Sequence, residues 1–230
     1  MIYQKNVYFC ISSVFMSNPL FNIRNSLFVI TFLLTVSVQA QERDRQGELD
    51  VVCRNEINST LQTGDLLFLN DNKSAMEKAI TASTGEYTHV ALVERDSADD
   101  VWVIEASPKH GVQRIPYSQF ERNNFGTIGI YRLTVPFDTA AVIARAMSMV
   151  GKPYDNAFLP DNDAYYCSEL IQVAFGGLFP SQPMNWRDAD GNLPEYWIKH
   201  FEELGMPVPE GVPGTNPTDM SRSPLLKILK

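Results

Sequence analysis

Apolar positions along this chain recur in two rhythms. Between residues 64 and 133, short runs rich in Val, Ile, Leu and aromatic residues are separated by polar turns. This predicts strands over 64–69, 88–94, 101–107, 112–115 and 127–133. The first is entered through a glycine turn at Gly64-Asp65. Between the first two, Ser74 is followed three residues later by Glu77, a capping-box pattern that predicts a helix over 75–82. A single helical turn fits 117–121. Beyond 133 the spacing becomes helical. Asp138 opens a helix over 139–150 with Gly151 as its stop, a second helix starts at Cys167, and a third covers 195–204 with Tyr196, Trp197 and Phe201. The tail from Gly205 is rich in proline and glycine, and its end, 218–229, predicts a last strand. Short strands at close spacing imply an antiparallel sheet. With no repeat and no linker, the chain from residue 41 to 230 reads as one α+β domain.

Residues 1–40 differ in kind. They hold Lys5 and Arg24 and no acid, then the apolar run 27–36, then small residues with Val38 and Ala40 placed for cleavage before Gln41. That is the n-region, h-region and cleavage site of a secretory signal peptide, and Met16 would give a more ordinary leader length. The run is short for a membrane span, so no integral span is expected after its removal. The expected location is the periplasm or the extracellular space. Residues 51–57 suggest a short helix at the start of the exported domain.

Charge narrows the partners. With 19 Lys and Arg against 27 Asp and Glu, the net charge is −8, and loss of the leader makes it more negative. This argues against nucleic acid as a partner. Of the three cysteines, Cys10 falls in the leader, leaving Cys53 and Cys167, both expected to be unpaired.

Cys167 carries the most chemical interest. It lies in Tyr165-Tyr166-Cys167-Ser168-Glu169-Leu170, at the predicted start of an amphipathic helix. Free N–H groups and the helix dipole at such a position favour a thiolate, the nucleophilic form. A lone cysteine among apolar residues is also a common small core hydrophobe. A nucleophile needs a base, usually histidine. His110 lies in a turn beside Lys109, and His200 lies among charged residues on a late helix, so both read as solvated surface groups. His89 opens an otherwise apolar strand, where its ring needs a partner. Glu105 lies within the apolar run 101–106, where a carboxylate is costly unless paired. A hairpin centred on Ser97 sets His89 directly opposite Glu105, on one face of the sheet. A one-residue slip would separate them.

Five stretches together carry a resemblance: Gly64-Asp65-Leu66-Leu67-Phe68, Thr88-His89-Val90, Ile104-Glu105-Ala106, Gly151-Lys152-Pro153-Tyr154-Asp155 and Tyr165-Tyr166-Cys167-Ser168-Glu169-Leu170. In this order and spacing the chain resembles the YiiX-type branch of the NlpC-type cysteine hydrolases. The resemblance covers about 62–176, and the tail 218–229 resembles the family's closing segment. It implies a circularly permuted papain-like fold in which the histidine strand precedes the cysteine helix. It further implies Cys167 as nucleophile, His89 as base and Glu105 as the residue orienting the ring. Tyr154, Tyr165 and Tyr166 would then lie near the cysteine, lining the pocket or helping an oxyanion hole alongside the Cys167 N–H. Glu169 reads as a helix-start cap, and Asp65 as a bond to the turn at its strand entrance.

Other chemistries find little support. There is no His-x3-His or Cys-x2-Cys pair and no phosphate-binding glycine loop. Asp188-Ala189-Asp190-Gly191-Asn192 starts like a calcium loop but continues with Leu193 and has Lys199 where the bidentate glutamate belongs. The expectation is an exported cysteine hydrolase, without a cofactor or metal, cleaving an amide in cell-wall or small peptides through a thioacyl-enzyme. Two alternatives remain at this level: an acyltransferase or lipid (thio)esterase of the same fold, and a non-catalytic binding module.

Overall fold

The computed structural model describes residues 59–124 and 126–229. The expected leader, the helix expected over 51–57 and Cys53 lie outside them. β1 (Leu66–Asn70) is followed by α1 (Ala75–Thr84), β2 (His89–Arg95), β3 (Val101–Ser107), β4 (Gly111–Pro116), α2 (Tyr117–Asn123) and β5 (Thr127–Leu133). Then come α3 (Thr139–Met149), α4 (Cys167–Ala174), β6 (Gln182–Pro183), α5 (Glu195–Glu203), β7 (Pro213–Gly214), α6 (Pro217–Ser221) and β8 (Leu226–Ile228). Six strands form one sheet in the order β4-β3-β2-β1-β5-β8, every pair antiparallel, while β6 and β7 pair separately.

The sheet is buried on both faces over β1–β3, which explains why these strands read as near-continuous apolar runs. On one face Leu66, Phe68, Val90, Leu92, Ile104 and Ala106 pack with Leu170, Ile171 and Ala174 of α4 and Val142, Ala146 and Met149 of α3. Residues from α4 and α3 enter this core at helical spacing, as an apolar stripe must. Burial of this cluster is the main stabilising contribution, about 25 cal/mol for each Å² of apolar surface removed from water. A second cluster, Phe158, Tyr166, Trp186, Trp197 and Phe201, is almost wholly aromatic. Most of its ring pairs meet near perpendicular, with Trp186 and Trp197 at 4.7 Å and 79°, the edge-to-face arrangement that ring quadrupoles favour.

Local signals worked where the cap was explicit. Ser74 accepts the Glu77 N–H, and Glu77 accepts the Ser74 N–H in return. Asp138 caps α3 through the Ala141 N–H. Gly64 has φ of 96°, and a Cβ there would strike the Phe137 ring, so only glycine fits the entrance to β1. Asp65 accepts from Gln62 N–H as expected, and also makes a two-point ion pair with Arg132.

The tail departs from expectation. Residues 217–221 form a helix and only 226–228 are strand. Asn216 accepts the Asp219 N–H as an N-cap and Pro217 occupies the first helical turn. Asn-Pro followed by a polar turn is a helix start, and it overrides the weak strand pattern.

Candidate active site

The β2–β3 hairpin sets the site. Its register pairs Leu92 with Ile104 and Arg95 with Val101, which corrects the hairpin centred on Ser97. The connection turns about Ala98 instead. Asp96 accepts the Ala98 and Asp100 N–H groups, and Asp99 takes a left-handed φ of 68°, the geometry of a three-residue hairpin loop. The ladder is thereby displaced by two residues from the expected one. Because side chains alternate with period two, an even displacement keeps His89 and Glu105 on the same face, as diagonal neighbours rather than direct partners.

Diagonal placement suffices. His89 Nε2 lies 2.7 Å from Glu105 Oε2. The other carboxylate oxygen accepts from Gln113 Nε2 at 2.8 Å. Gln113 is directly opposite Glu105 on β4, so the β3–β4 register alone could have marked it. The His89 ring also stacks against Phe120 of α2, at 6.4 Å between centroids. With Nε2 engaged, Nδ1 is the nitrogen left for Cys167, the ring's other interaction partner.

Charge distribution follows from these contacts. Burial alone would push the His89 ring toward neutrality, but its interactions with Cys167 and Glu105 outweigh burial and hold its pKa well above the usual histidine range. Burial likewise pushes Glu105 up, and the bonds from His89 and Gln113 bring it below the ordinary carboxylate range. An imidazolium and a carboxylate therefore face each other at neutral pH.

Cys167 is the first residue of α4 and is 6% exposed. The helix lies against β2 and β3, and Cys167 at its start interacts with the His89 ring. Tyr166 is the N-cap residue, and its N–H donates to Glu169 Oε2 at 3.4 Å. Glu169 is the helix-start cap the sequence suggests. Burial pushes its carboxyl up to about 8, against the pull of the Tyr166 N–H.

The three tyrosines separate. Tyr154 stands between two spaces: a cleft of about 710 Å³ on the His89 and Glu105 side and a hole of about 40 Å³ lined by Cys167. Burial pushes its phenol pKa well up. Tyr166 lines the hole, but its hydroxyl accepts the Thr215 N–H, tying α4 to the segment after β7. Tyr165 lines neither space. Its N–H donates to Pro153 O, so it holds the 151–155 segment. That segment is also bonded to β4 through Val112 N–H to Lys152 O, and a Cβ on Gly111 would collide with the same carbonyl. The Gly151-Lys152-Pro153-Tyr154 motif is thus the seat of Tyr154. Next to it, Asp155 accepts the Ala157 and Leu159 N–H groups. This turn sets Phe158 at a φ of 54° and its ring among Tyr154, Tyr166, Trp186 and Trp197. A bulky residue rarely adopts that backbone, and here the aromatic packing enforces it.

Two hydroxyls escaped sequence reasoning. Ser168 Oγ and Thr215 Oγ1 are buried without a protein partner, and both residues line the hole beside Cys167. Ser168 lies within the Tyr165–Leu170 stretch, so its place beside Cys167 was open to reading, whereas Thr215 comes from a distant segment that no motif signals. His110 is exposed as expected. His200 is not the solvated group anticipated. It is part-buried, with Nε2 at 2.7 Å from the Asn156 carbonyl and its ring stacked on Tyr196.

An antiparallel sheet that presents a histidine, followed later in the chain by a helix that starts with a cysteine, is the papain-like arrangement in permuted order. Residues 60–230 match the family of permuted papain-like amidase enzymes, YaeF/YiiX, C92 family, and the chain belongs to that family. Among solved structures it resembles the crystal structure of metalloprotein YiiX from Escherichia coli O157:H7, with a TM-score of 0.60 and 24% identity. That likeness covers 74% of this chain and 96% of the other, and it supports the fold. No curated protein matches the sequence. Among the described residues, no group of three or more His, Cys, Asp or Glu side chains is placed to hold a metal ion, and no helix is long and apolar enough to cross a membrane.

Proposed function

We propose that the protein is an exported cysteine amidase in which Cys167, His89 and Glu105 form the catalytic triad. The observation that carries this reading is the 2.7 Å contact between His89 and Glu105, with Cys167 as the same ring's other partner. Glu105 orients and charges the ring, and Gln113 orients Glu105. The Cys167 thiolate attacks the amide carbonyl carbon, forming a C–S bond and an oxyanion. Its own N–H, at the start of α4, is the first candidate donor to that oxyanion. The intermediate collapses with loss of the C–N bond, and His89 gives its proton to the departing amine. Water, deprotonated by His89, then attacks the thioester, releasing the acid and restoring the sulfur.

Membership of an amidase family supports an amide substrate, and cell-wall or other short peptides are the substrates we favour. The leader pattern in residues 1–40 supports export of residues 41–230 to the periplasm or the extracellular space. The test is alkylation of Cys167 by iodoacetamide at neutral pH, read by mass spectrometry of its peptide. The wild type should react on the order of a hundredfold faster than His89→Ala, the scale of acid–base assistance. Equal rates in the two proteins would remove the triad.

A further inference from the structure

We propose that the substrate carries a carboxylate on its leaving-amine side, received by Lys109 and Arg122. This rests on the amidase reading above and adds what the amide must look like. In such a reaction the histidine delivers its proton to the departing amine. The space shared with His89 therefore receives the leaving portion, and the space beside Cys167 lies on the acyl side. The two spaces share Ile80, Thr88 and Tyr154 as a common wall. The His89 side is a cleft of about 710 Å³, within the usual range for a small-molecule or short-peptide site.

Charge in that cleft is asymmetric. Three acids line it, and each is already engaged by the fold. Glu105 accepts from Gln113 and pairs with His89. Glu77 accepts the Lys73 and Ser74 N–H groups. Asp71 accepts the Asn72 N–H and lies near Lys73. Lys109, in the β3–β4 turn, and Arg122, at the end of α2, also line the cleft. Neither forms an ion pair with any described residue. In a chain of net charge −8, two cations of one cleft lining that no carboxylate pairs are free to receive an anionic group of a ligand. An amino acid or short peptide released by amide cleavage bears such a carboxylate.

The experiment compares two chloroacetyl probes on the full chain: chloroacetyl-glutamate, which is anionic, and the near-isosteric chloroacetyl-glutamine amide, which is neutral. In each, the Cys167 thiolate displaces chloride, and the rest of the probe extends along the site. Modification of the Cys167 peptide is followed by mass spectrometry. The wild type should prefer the anionic probe on the order of tenfold, the scale of two exposed charge contacts, and added salt should shrink that preference. The Lys109→Ala/Arg122→Ala double variant should lose most of the preference, while Lys227→Ala, outside the cleft, should keep it. Fast labelling of the wild type without preference overturns this proposal alone, as does a preference that survives in the double variant. Labelling of both probes no faster than His89→Ala achieves overturns the amidase reading and this proposal together.

Discussion

On the His89 side of Tyr154 lies a wide cleft of about 710 Å³ with many charged and polar residues in its lining; on the Cys167 side lies a narrow hole of about 40 Å³ with Phe158, Trp186 and Trp197 in its lining. Those three aromatic residues belong to one buried cluster. The difference is one of division of labour. Packing of α4 in the main core, with the aromatic cluster beside it, holds the proposed nucleophile Cys167 at the helix start, where small displacements would cost rate. The cleft side combines strand residues such as Leu69, His89, Glu105 and Gln113 with exposed residues of turns and helix ends, Lys109 and Arg122 among them, whose replacement leaves the core intact.

This contrast predicts effects of very different size. Trp197→Ala should be the most damaging change. Trp197 is 2% exposed, and emptying such a site costs about 3–5 kcal/mol, which lowers Tm by roughly 10 °C for a domain of this size. Thermal unfolding followed by circular dichroism measures it. A loss as small as that of Lys109→Ala, expected within about 0.5 kcal/mol, would break the comparison.

Glu105→Gln should lower the hydrolytic rate on the order of a hundredfold and change the pH profile. The interactions with Cys167 and Glu105 hold the His89 pKa high, so the imidazolium form persists to high pH and is lost as pH rises through that value. Without the carboxylate the alkaline limb should move to lower pH. A profile that falls in height without moving would show that Glu105 orients the ring but does not charge it.

A smaller effect, opposite in sign, is expected at Glu169→Gln in the first turn of α4. Burial raises the Glu169 pKa to about 8 in the folded state, from an ordinary 4.5. Between those values the folded chain holds a proton that the unfolded chain has lost, so this group reduces stability as pH rises. Glutamine can still accept the Tyr166 N–H and carries no such penalty. The variant should match wild type near pH 4 and exceed it by about 2–4 °C in Tm near pH 8, the scale of 1 kcal/mol. An equal difference at both pH values would place its origin elsewhere.

Much of the fold was legible from alternation and caps. The five strands of the first half, α1 from its Ser74–Glu77 box and α3 from Asp138 all follow from spacing within about a dozen residues. The pairing of His89 with Glu105 was also within reach, although the register was wrong by two. Parity carried the conclusion, since only an odd slip separates the side chains. The tail misled because a run of apolar residues after Pro224 outweighed the Asn216-Pro217 helix start.

What the sequence alone determined is therefore local: which segments are strands, which face His89 and Glu105 share, and that Cys167 opens a helix. These follow from the two backbone periodicities, which act between near neighbours. Tertiary structure decided the rest. It chose the turn that sets the hairpin register and brought Phe158, Trp186 and Trp197 together around Cys167. It also left Lys109 and Arg122 in the lining of one cleft without an ion pair to any described residue. These juxtapositions join segments far apart in the chain, and their geometry depends on how complete elements pack, which no short window of residues contains.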